Sequence, residues 1–273
     1  MNRAKMIEAN YHSHTFRCGH AVGTDEEYVQ CAIQAGLKVL GFTDHVILPH
    51  HSQPGMRGDF SLLKGYIQSV NDLKKKYAGK IDIYLGFECE WYYGIYEPYY
   101  RDLLLNEGFD YLILGQHCCL PDGENFVFYS HFANRLEGLK AYMKDVLAAM
   151  DSGLFAYVAH PDHFMLWYGA WDEEAEKASR LICKKAKEKN IPLEINMGPS
   201  RWAKKTSVKD PSILCYPYPK FFEIAKQTGN SVVIGVDAHA PSEYQTSDYA
   251  WALNFAEALG LKPLKRVDFP KVC

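Results

Sequence analysis

A long apolar run is missing from this sequence, and so is an excess of charge of either sign. No stretch approaches the ~20 consecutive apolar residues a helix needs to cross a bilayer, which excludes a membrane-spanning helix. Lys and Arg number 30 against 33 Asp and Glu, a formal net charge of −3. That balance predicts no basic track for nucleic acid and leaves room only for a small local pocket that takes one phosphate. The eight cysteines (Cys18, Cys31, Cys89, Cys118, Cys119, Cys183, Cys215 and Cys273) contain no CxxC pair, and no secretory leader precedes them. They read as reduced thiols of a cytoplasmic protein, the adjacent Cys118 and Cys119 suiting buried packing better than a disulfide or a zinc knuckle. Also absent are the P-loop GxxxxGK[ST], the GxSxG elbow and the HExxH helix.

What is present is an ordinary globular composition: 273 residues, 48% hydrophobic and 23% charged. A chain of this size buries enough surface to fold without staples, and a single domain over 1–273 is expected. Short β-rich runs alternate with helical patterns seven times, with no low-complexity linker between them. Strands are predicted over 8–14, 38–43, 81–87, 111–116, 155–159, 192–196 and 231–236. Helices are predicted from the Thr24-Asp25-Glu26-Glu27 start signal to Gly36, then over 62–77, 99–106, 136–150, 172–189, 220–228 and 248–259. Strands separated by helices pair in parallel, so either a barrel or a doubly wound sheet follows.

Where the polar residues fall favours the barrel. His12 and His14 end the first strand, Asp44 and His45 follow the second, and Glu88 and Glu90 end the third. His117 follows the fourth, His160 the fifth, Glu194 and Asn196 lie in the sixth, and Asp237 with His239 follow the seventh. Active sites of parallel α/β barrels sit on that carboxyl face, and a closed ring brings the first and last strands together. Residues i and i+2 of a strand share a face ~7 Å apart, so His12 with His14, or Asp237 with His239, can serve one ion or two neighbouring ones. Taken singly, each histidine is more often a satisfied core or surface residue; the agreement of all the strand ends is the signal. His50, His51 and His131 fall in loops and read as solvated, and His163 reads either way. Imidazoles and carboxylates suit zinc, iron or manganese, and a cluster of such ions keeps a positive surplus that seats a phosphate dianion.

These segments resemble the polymerase and histidinol phosphatase family, in particular its histidinol-phosphatase branch. The matching stretches are Tyr11-His-Ser-His-Thr15, Arg17-Cys-Gly-His-Ala21, Gly41-Phe-Thr-Asp-His45, Gly86-Phe-Glu-Cys-Glu90, Gly115-Gln-His117, Ala159-His-Pro-Asp162, Glu194-Ile-Asn196 and Val236-Asp-Ala-His239. They run in the family's order along almost the whole chain. The resemblance implies an α/β fold, a distorted seven-stranded (β/α)7 TIM-like barrel, with a cluster of divalent ions, up to three, of Zn, Fe or Mn. Carried over, His12, His14, Glu88 and Asp237 hold one ion, Glu88 with His117 and His160 a second, and His20, His45 and His239 a third. His20 enters through the resemblance alone. Members of the branch usually have an arginine soon after the His-Pro-Asp segment to grip phosphate, whereas this chain reads His163-Phe-Met-Leu-Trp-Tyr168. Arg17, Arg201 and His163 are the remaining candidates for that grip, an Arg fork suiting phosphate best.

The expected chemistry is in-line attack on phosphorus by water that the ions acidify, with no protein nucleophile. Asp44, beside His45, either orients a ligand imidazole or passes a proton to the leaving alcohol, and His45 and His239 belong to the same catalytic group. Glu90 and Asp162 either support ligands or bind a cationic substrate group, with ordinary ion pairing an equal alternative. Trp91, Tyr92, Tyr93, Tyr96, Trp167, Tyr168, Trp171 and Trp202 crowd the same loops, as a wall for a ligand or, more simply, as packing. The lysine runs at 74–76, 184–185 and 204–205 read as solvated faces. The expected partner is a small phosphorylated substrate, with no nucleic acid and no membrane, and the sequence leaves the oligomeric state open. The resemblance implies hydrolysis of L-histidinol phosphate in histidine biosynthesis. The alternatives are a phosphoesterase acting on nucleotides or DNA ends, and a non-catalytic metal-binding scaffold.

Overall fold

The computed structural model describes residues 7–198, 216–245 and 248–272. Its strands are β1 (Ala9–Asn10), β2 (Val39–His45), β3 (Asp82–Cys89), β4 (Tyr111–Leu114), β5 (Cys118–Cys119), β6 (Val127–Phe128), β7 (Phe155–Val158), β8 (Leu193–Asn196) and β9 (Val232–Gly235). The helices are α1 (Asp25–Gln34), α2 (Leu63–Lys76), α3 (Glu97–Leu105), α4 (Arg135–Ser152), α5 (Phe164–Tyr168), α6 (Glu173–Glu188), α7 (Pro219–Thr228) and α8 (Asp248–Ala258). Seven strands pair in parallel in the order β1-β2-β3-β4-β7-β8-β9, and β5 with β6 forms a separate antiparallel pair.

The ring closes between the first and last strands through a narrow seam. Ser13 bridges Ala238 in parallel, the His14 N–H donates to the Ala238 carbonyl at 2.8 Å, and the Ala238 N–H donates to the His12 carbonyl at 3.3 Å. The Asn10 side chain fastens the same seam, accepting from the Val236 N–H at 2.8 Å and donating to the His12 carbonyl at 2.9 Å. This distorted seven-stranded barrel is the expected fold, and closure is what brings His12 and His14 beside Asp237.

Local chemistry sets the elements. Thr24 and Glu27 form a reciprocal capping box on α1, Asn134 and Asp172 cap α4 and α6, and Gly153, at φ 72°, stops α4 in the left-handed region that lacks a Cβ penalty. The strands β2, β4, β7, β8 and β9 are buried along their whole length, as expected of parallel strands covered by helices. Inside the ring the end opposite the strands' carboxyl termini is filled by Tyr11, Tyr84, Tyr111 and Tyr157, and the C-terminal segment closes it. There Phe269 stacks flat on Tyr111, with ring centroids 4.6 Å apart.

Several boundaries moved by about two residues or more, and small elements were missed. The first strand, predicted over 8–14, pairs regularly only at Ala9–Asn10; beyond it single bonds reach each neighbour, the Ser13 carbonyl accepting from the Thr43 N–H at 2.9 Å while Ser13 bridges Ala238. The second strand runs on to His45. The β5–β6 pair and α5 are too short to show a hydrophobic period.

Candidate metal centre

The strand ends converge on one carboxylate. Glu88, at the end of β3 and 1% exposed, has Oε1 at 2.7 Å from His160 Nε2, 3.4 Å from His12 Nε2 and 3.7 Å from His117 Nε2. Its Oε2 lies 3.0 Å from His45 Nδ1 and 3.5 Å from His14 Nε2. Asp237 Oδ1 adds to the seam side, 3.0 Å from His14 Nε2 and 3.5 Å from His12 Nε2. On the outer side the His14 ring lies 4.4 Å from His45 and 4.2 Å from His239, and the exposed His20 ring lies 5.3 Å and 4.9 Å from those two. All the predicted ligands except His20 fall into overlapping triads with ligand atoms within 4.8 Å: His12/His14/Asp237, His12/Glu88/His160, His45/Glu88/His117 and His14/His45/His239.

The donor set fits divalent ions on the chemistry of its own atoms. His12 Nε2 and His14 Nε2 approach to 3.2 Å inside the protein; with both rings protonated at Nδ1, as the Glu194 acceptor favours for His12, two lone pairs face each other and a cation between them completes both. Glu88 Oε2 and His45 Nδ1 are buried beside each other without a hydrogen bond, which leaves an acceptor position on both. Burial and then His239 and His45 hold His14 well below the usual imidazole range, and burial brings His45 down to about 4. Burial opposes ionisation of Glu88, but His117, His12 and His45 outweigh it and hold the carboxyl well below its ordinary value. Burial likewise opposes charge on His12 and His117, yet Glu194 and Asp237 around the first, and Glu88 and Glu90 around the second, push both up. A position that attracts a proton this way attracts a cation, and ion binding releases that proton. Two of the residues, His160 at φ 31° and Asp237 at φ 53°, sit in the left-handed region that non-glycine residues rarely adopt.

The match to known proteins agrees with this geometry. The PHP domain family matches residues 10–198. The chain belongs to the PHP family. A protein named probable histidinol-phosphatase from Deinococcus radiodurans is 32% identical over 235 residues, covering 85% of this chain and 86% of its own. A protein of the same name from Schizosaccharomyces pombe is 22% identical over 278 residues, covering 96% and 89%. In fold, the PHP barrel resembles the crystal structure of histidinol phosphate phosphatase from Lactococcus lactis, complexed with zinc, L-histidinol and phosphate, at TM-score 0.69 and 21% identity over 96% of this chain and 98% of that one.

Behind the candidate ligands the PHP barrel carries a layer that orients them. Glu194 accepts from His12 Nδ1 at 2.9 Å and is itself fixed by the His160 N–H at 3.0 Å and Asn196 Nδ2 at 2.8 Å. Glu90 accepts from His117 Nδ1 at 3.1 Å; burial opposes its charge, but Arg57 and then His117 bring it down to about 2. Two glycines make the space, Gly115 directly after β4 and Gly235 at the end of β9. A Cβ at Gly115 would stand 1.9 Å from Glu88 Oε1, and one at Gly235 would stand 1.7 Å from Glu194 Oε1. A glycine at a strand's carboxyl end was the one readable trace of these close approaches.

The remaining candidates separate. Asp44 is buried behind His14, 3.9 Å from its Nδ1, and accepts from the Thr15 hydroxyl and, at 3.3 Å, from the Thr15 N–H. Burial pushes it up to about 7. Arg17 forks onto Asp25 at 2.7 and 2.8 Å and donates to Thr15 Oγ1 at 3.0 Å, so both Nη1 and Nη2 are engaged within the protein. His163 is half-buried with its ring 5.2 Å from His160 and 5.5 Å from His117, and Nδ1 has no partner. Arg201, Trp202, Lys204, Lys205 and Cys215 lie outside the described residues. Asp162 is wholly buried and accepts from the Tyr218 N–H at 2.5 Å. His51, expected to be solvated, is held at both ring nitrogens, by the Tyr96 hydroxyl and, at 3.1 Å, by the Gly123 carbonyl. Trp91, Tyr92 and Tyr96 are buried in the main core, and Trp167 and Trp171 pack against it. Arg57, unremarked in the sequence, proves to be buried beside Glu90.

Proposed function

We propose that this PHP phosphoesterase hydrolyses L-histidinol phosphate to L-histidinol and phosphate, within histidine biosynthesis in the cytoplasm, from a single barrel domain. The observation that carries the reading is the convergence of His12, His14, His45, His117 and His160 around Glu88, with Asp237 beside His12 and His14. The relative from Deinococcus radiodurans supports the choice of substrate. Thiols free of disulfides at Cys18, Cys31, Cys89, Cys118, Cys119 and Cys183 suit a reducing compartment.

His12, His14, Glu88 and Asp237 hold one ion, Glu88, His117 and His160 a second, and His20, His45 and His239 a third, the ions being Zn, Fe or Mn. When bound, they supply acidified water and offset the charge that grows on the phosphoryl oxygens. The chain's own residues do the rest. Glu88 joins the sides of the cluster, and Glu194 and Glu90 fix the tautomers of His12 and His117 by accepting at Nδ1. Asp44, gripped by Thr15 and facing His14, steadies the outer group formed with His45 and His239. His163, with its unpartnered Nδ1 beside His117 and His160, offers a hydrogen bond to the phosphate. Arg201 supplies the fork that the branch places elsewhere, and Arg17 reaches a phosphate only by leaving Asp25.

The test is turnover of L-histidinol phosphate beside a panel of nucleotides, before and after chelation, with bound metal counted by mass spectrometry. Histidinol phosphate should be the fastest substrate, and chelation should abolish its hydrolysis until zinc or manganese is restored. Faster cleavage of a nucleotide would replace the substrate, and metal-loaded protein inert towards every phosphomonoester would leave a scaffold.

A further inference from the structure

Among the described residues Arg57 is the one lysine or arginine that is buried, at 3% exposure. It stands in the loop between β2 and α2, and every donor of its guanidinium is used. Nε donates to Gln53 Oε1 at 2.9 Å, Nη1 to the Val46 carbonyl at 3.1 Å and Glu90 Oε2 at 3.2 Å, and Nη2 to Glu90 Oε1 at 3.2 Å and the Tyr92 hydroxyl at 2.7 Å. Glu90 Oε1 accepts in turn from His117 Nδ1 at 3.1 Å, and His117 Nε2 faces Glu88 Oε1 at 3.7 Å. Arg57, Glu90, His117 and Glu88 therefore form one chain that ends in the centre.

Stability does not explain this arrangement. An ion pair whose two side chains are both 0% exposed has lost its hydration, and a well-packed apolar pair of the same volume is often as stable or more so. What the pair supplies is direction, because a forked guanidinium fixes the plane and position of a carboxylate. The seam side is built differently: Glu194 behind His12 is held by a backbone N–H and an amide, with no guanidinium bonded to it among the described residues.

We propose that Arg57 is a positioning residue for the His117 side of the centre: by clamping Glu90 it fixes the acceptor for His117 Nδ1 and so aims Nε2 at the shared Glu88. The inference rests on reading His117 as a ligand. It makes the β2–α2 loop part of the metal site although that loop supplies no ligand to it.

The test is zinc affinity of the full chain against a chromophoric chelator, for the wild type, Arg57→Met, Arg57→Lys, Glu90→Gln and the Arg57→Met/Glu90→Gln double variant, with thermal unfolding alongside. Arg57→Met and Glu90→Gln should each weaken one class of zinc by roughly 10–100-fold and leave the rest in place. The double variant should be no worse than the weaker single one, since both act through His117, and Arg57→Lys should lie between Arg57→Met and the wild type. Arg57→Met that keeps wild-type zinc affinity and loses only melting temperature overturns the inference, as do losses that multiply in the double variant. If Arg57→Met does not fold, Glu90→Gln decides, and wild-type zinc affinity in that variant is again fatal. A wild type that holds no zinc defeats the reading of the centre itself; zinc equally tight in the wild type and Arg57→Met defeats only the role of Arg57.

Discussion

The two ends of the barrel interior are made of the same strands and solve opposite problems. At the floor, Tyr11, Tyr84, Tyr111 and Phe269 pack ring on ring, and the Tyr111 hydroxyl finds the Tyr11 carbonyl at 2.7 Å. At the rim, a few residues further along those strands, buried imidazoles and a carboxylate face one another with polar atoms left unpaired. A protein interior tolerates the first arrangement because apolar surface leaves water and the Tyr11 and Tyr111 hydroxyls find backbone partners. It tolerates the second only when something positive completes it. The floor therefore holds the ring together, and the rim uses the ring to hold ions.

Substitutions at the two ends should fail in different ways. The largest effect belongs to Glu88→Ala, which removes the carboxylate common to the cluster. Hydrolysis should fall by roughly a thousandfold or more with loss of bound metal, while the apo-protein keeps its fold. Phe269→Ala should do the reverse, costing about 3 kcal/mol in denaturant unfolding with zinc stoichiometry unchanged. Gly115→Ala sharpens the comparison, because its Cβ would stand 1.9 Å from Glu88 Oε1 and displace that carboxylate without touching the floor. A drop in activity on the order of 100-fold with a near-normal melting temperature is expected.

Acidity should also separate the ends. His12 and His117 have raised pKa values, so each holds a proton to higher pH than a free imidazole and must release it to bind an ion. Zinc affinity should accordingly weaken as pH falls, beginning above the ordinary imidazole value of ~6.5, whereas near-ultraviolet circular dichroism of the floor tyrosines should stay constant over that window. Affinity that rises towards acid would reverse the sign assigned here. The smallest effect is Tyr111→Phe, which removes the hydrogen bond to Tyr11 and should cost about 1 kcal/mol with zinc binding intact.

Much of this was legible because the rim is written in strand ends. The i, i+2 pairs His12/His14 and Asp237/His239, each beside a β-rich run, and Glu88 and His160 at the ends of others, announce a shared face from the sequence, and alternation with helices announces parallel strands. Closure could be argued only from the fact that those pairs belong to the first and last strands; the seam itself depends on Asn10 and on single backbone bonds that carry no pattern. His20 follows Gly19 in a loop and has no period to betray it, so the family resemblance alone supplied it. Arg57 was invisible for a related reason: it lies among Pro54, Gly55 and Gly58, where a charged residue reads as solvated, and only the fold brings Glu90 to meet it. His51 was misread in the same way, its partners Tyr96 and Gly123 being distant in sequence.

Diffraction from zinc-loaded crystals at the zinc absorption edge puts the idea of an ion-completed rim to its most direct trial. At least two anomalous peaks should appear, with Glu88 oxygens about 2.0–2.2 Å from the ions they bind and histidine nitrogens from both sides of the seam around them. An empty map at Glu88, or zinc found only on surface histidines such as His50 and His131, would contradict it.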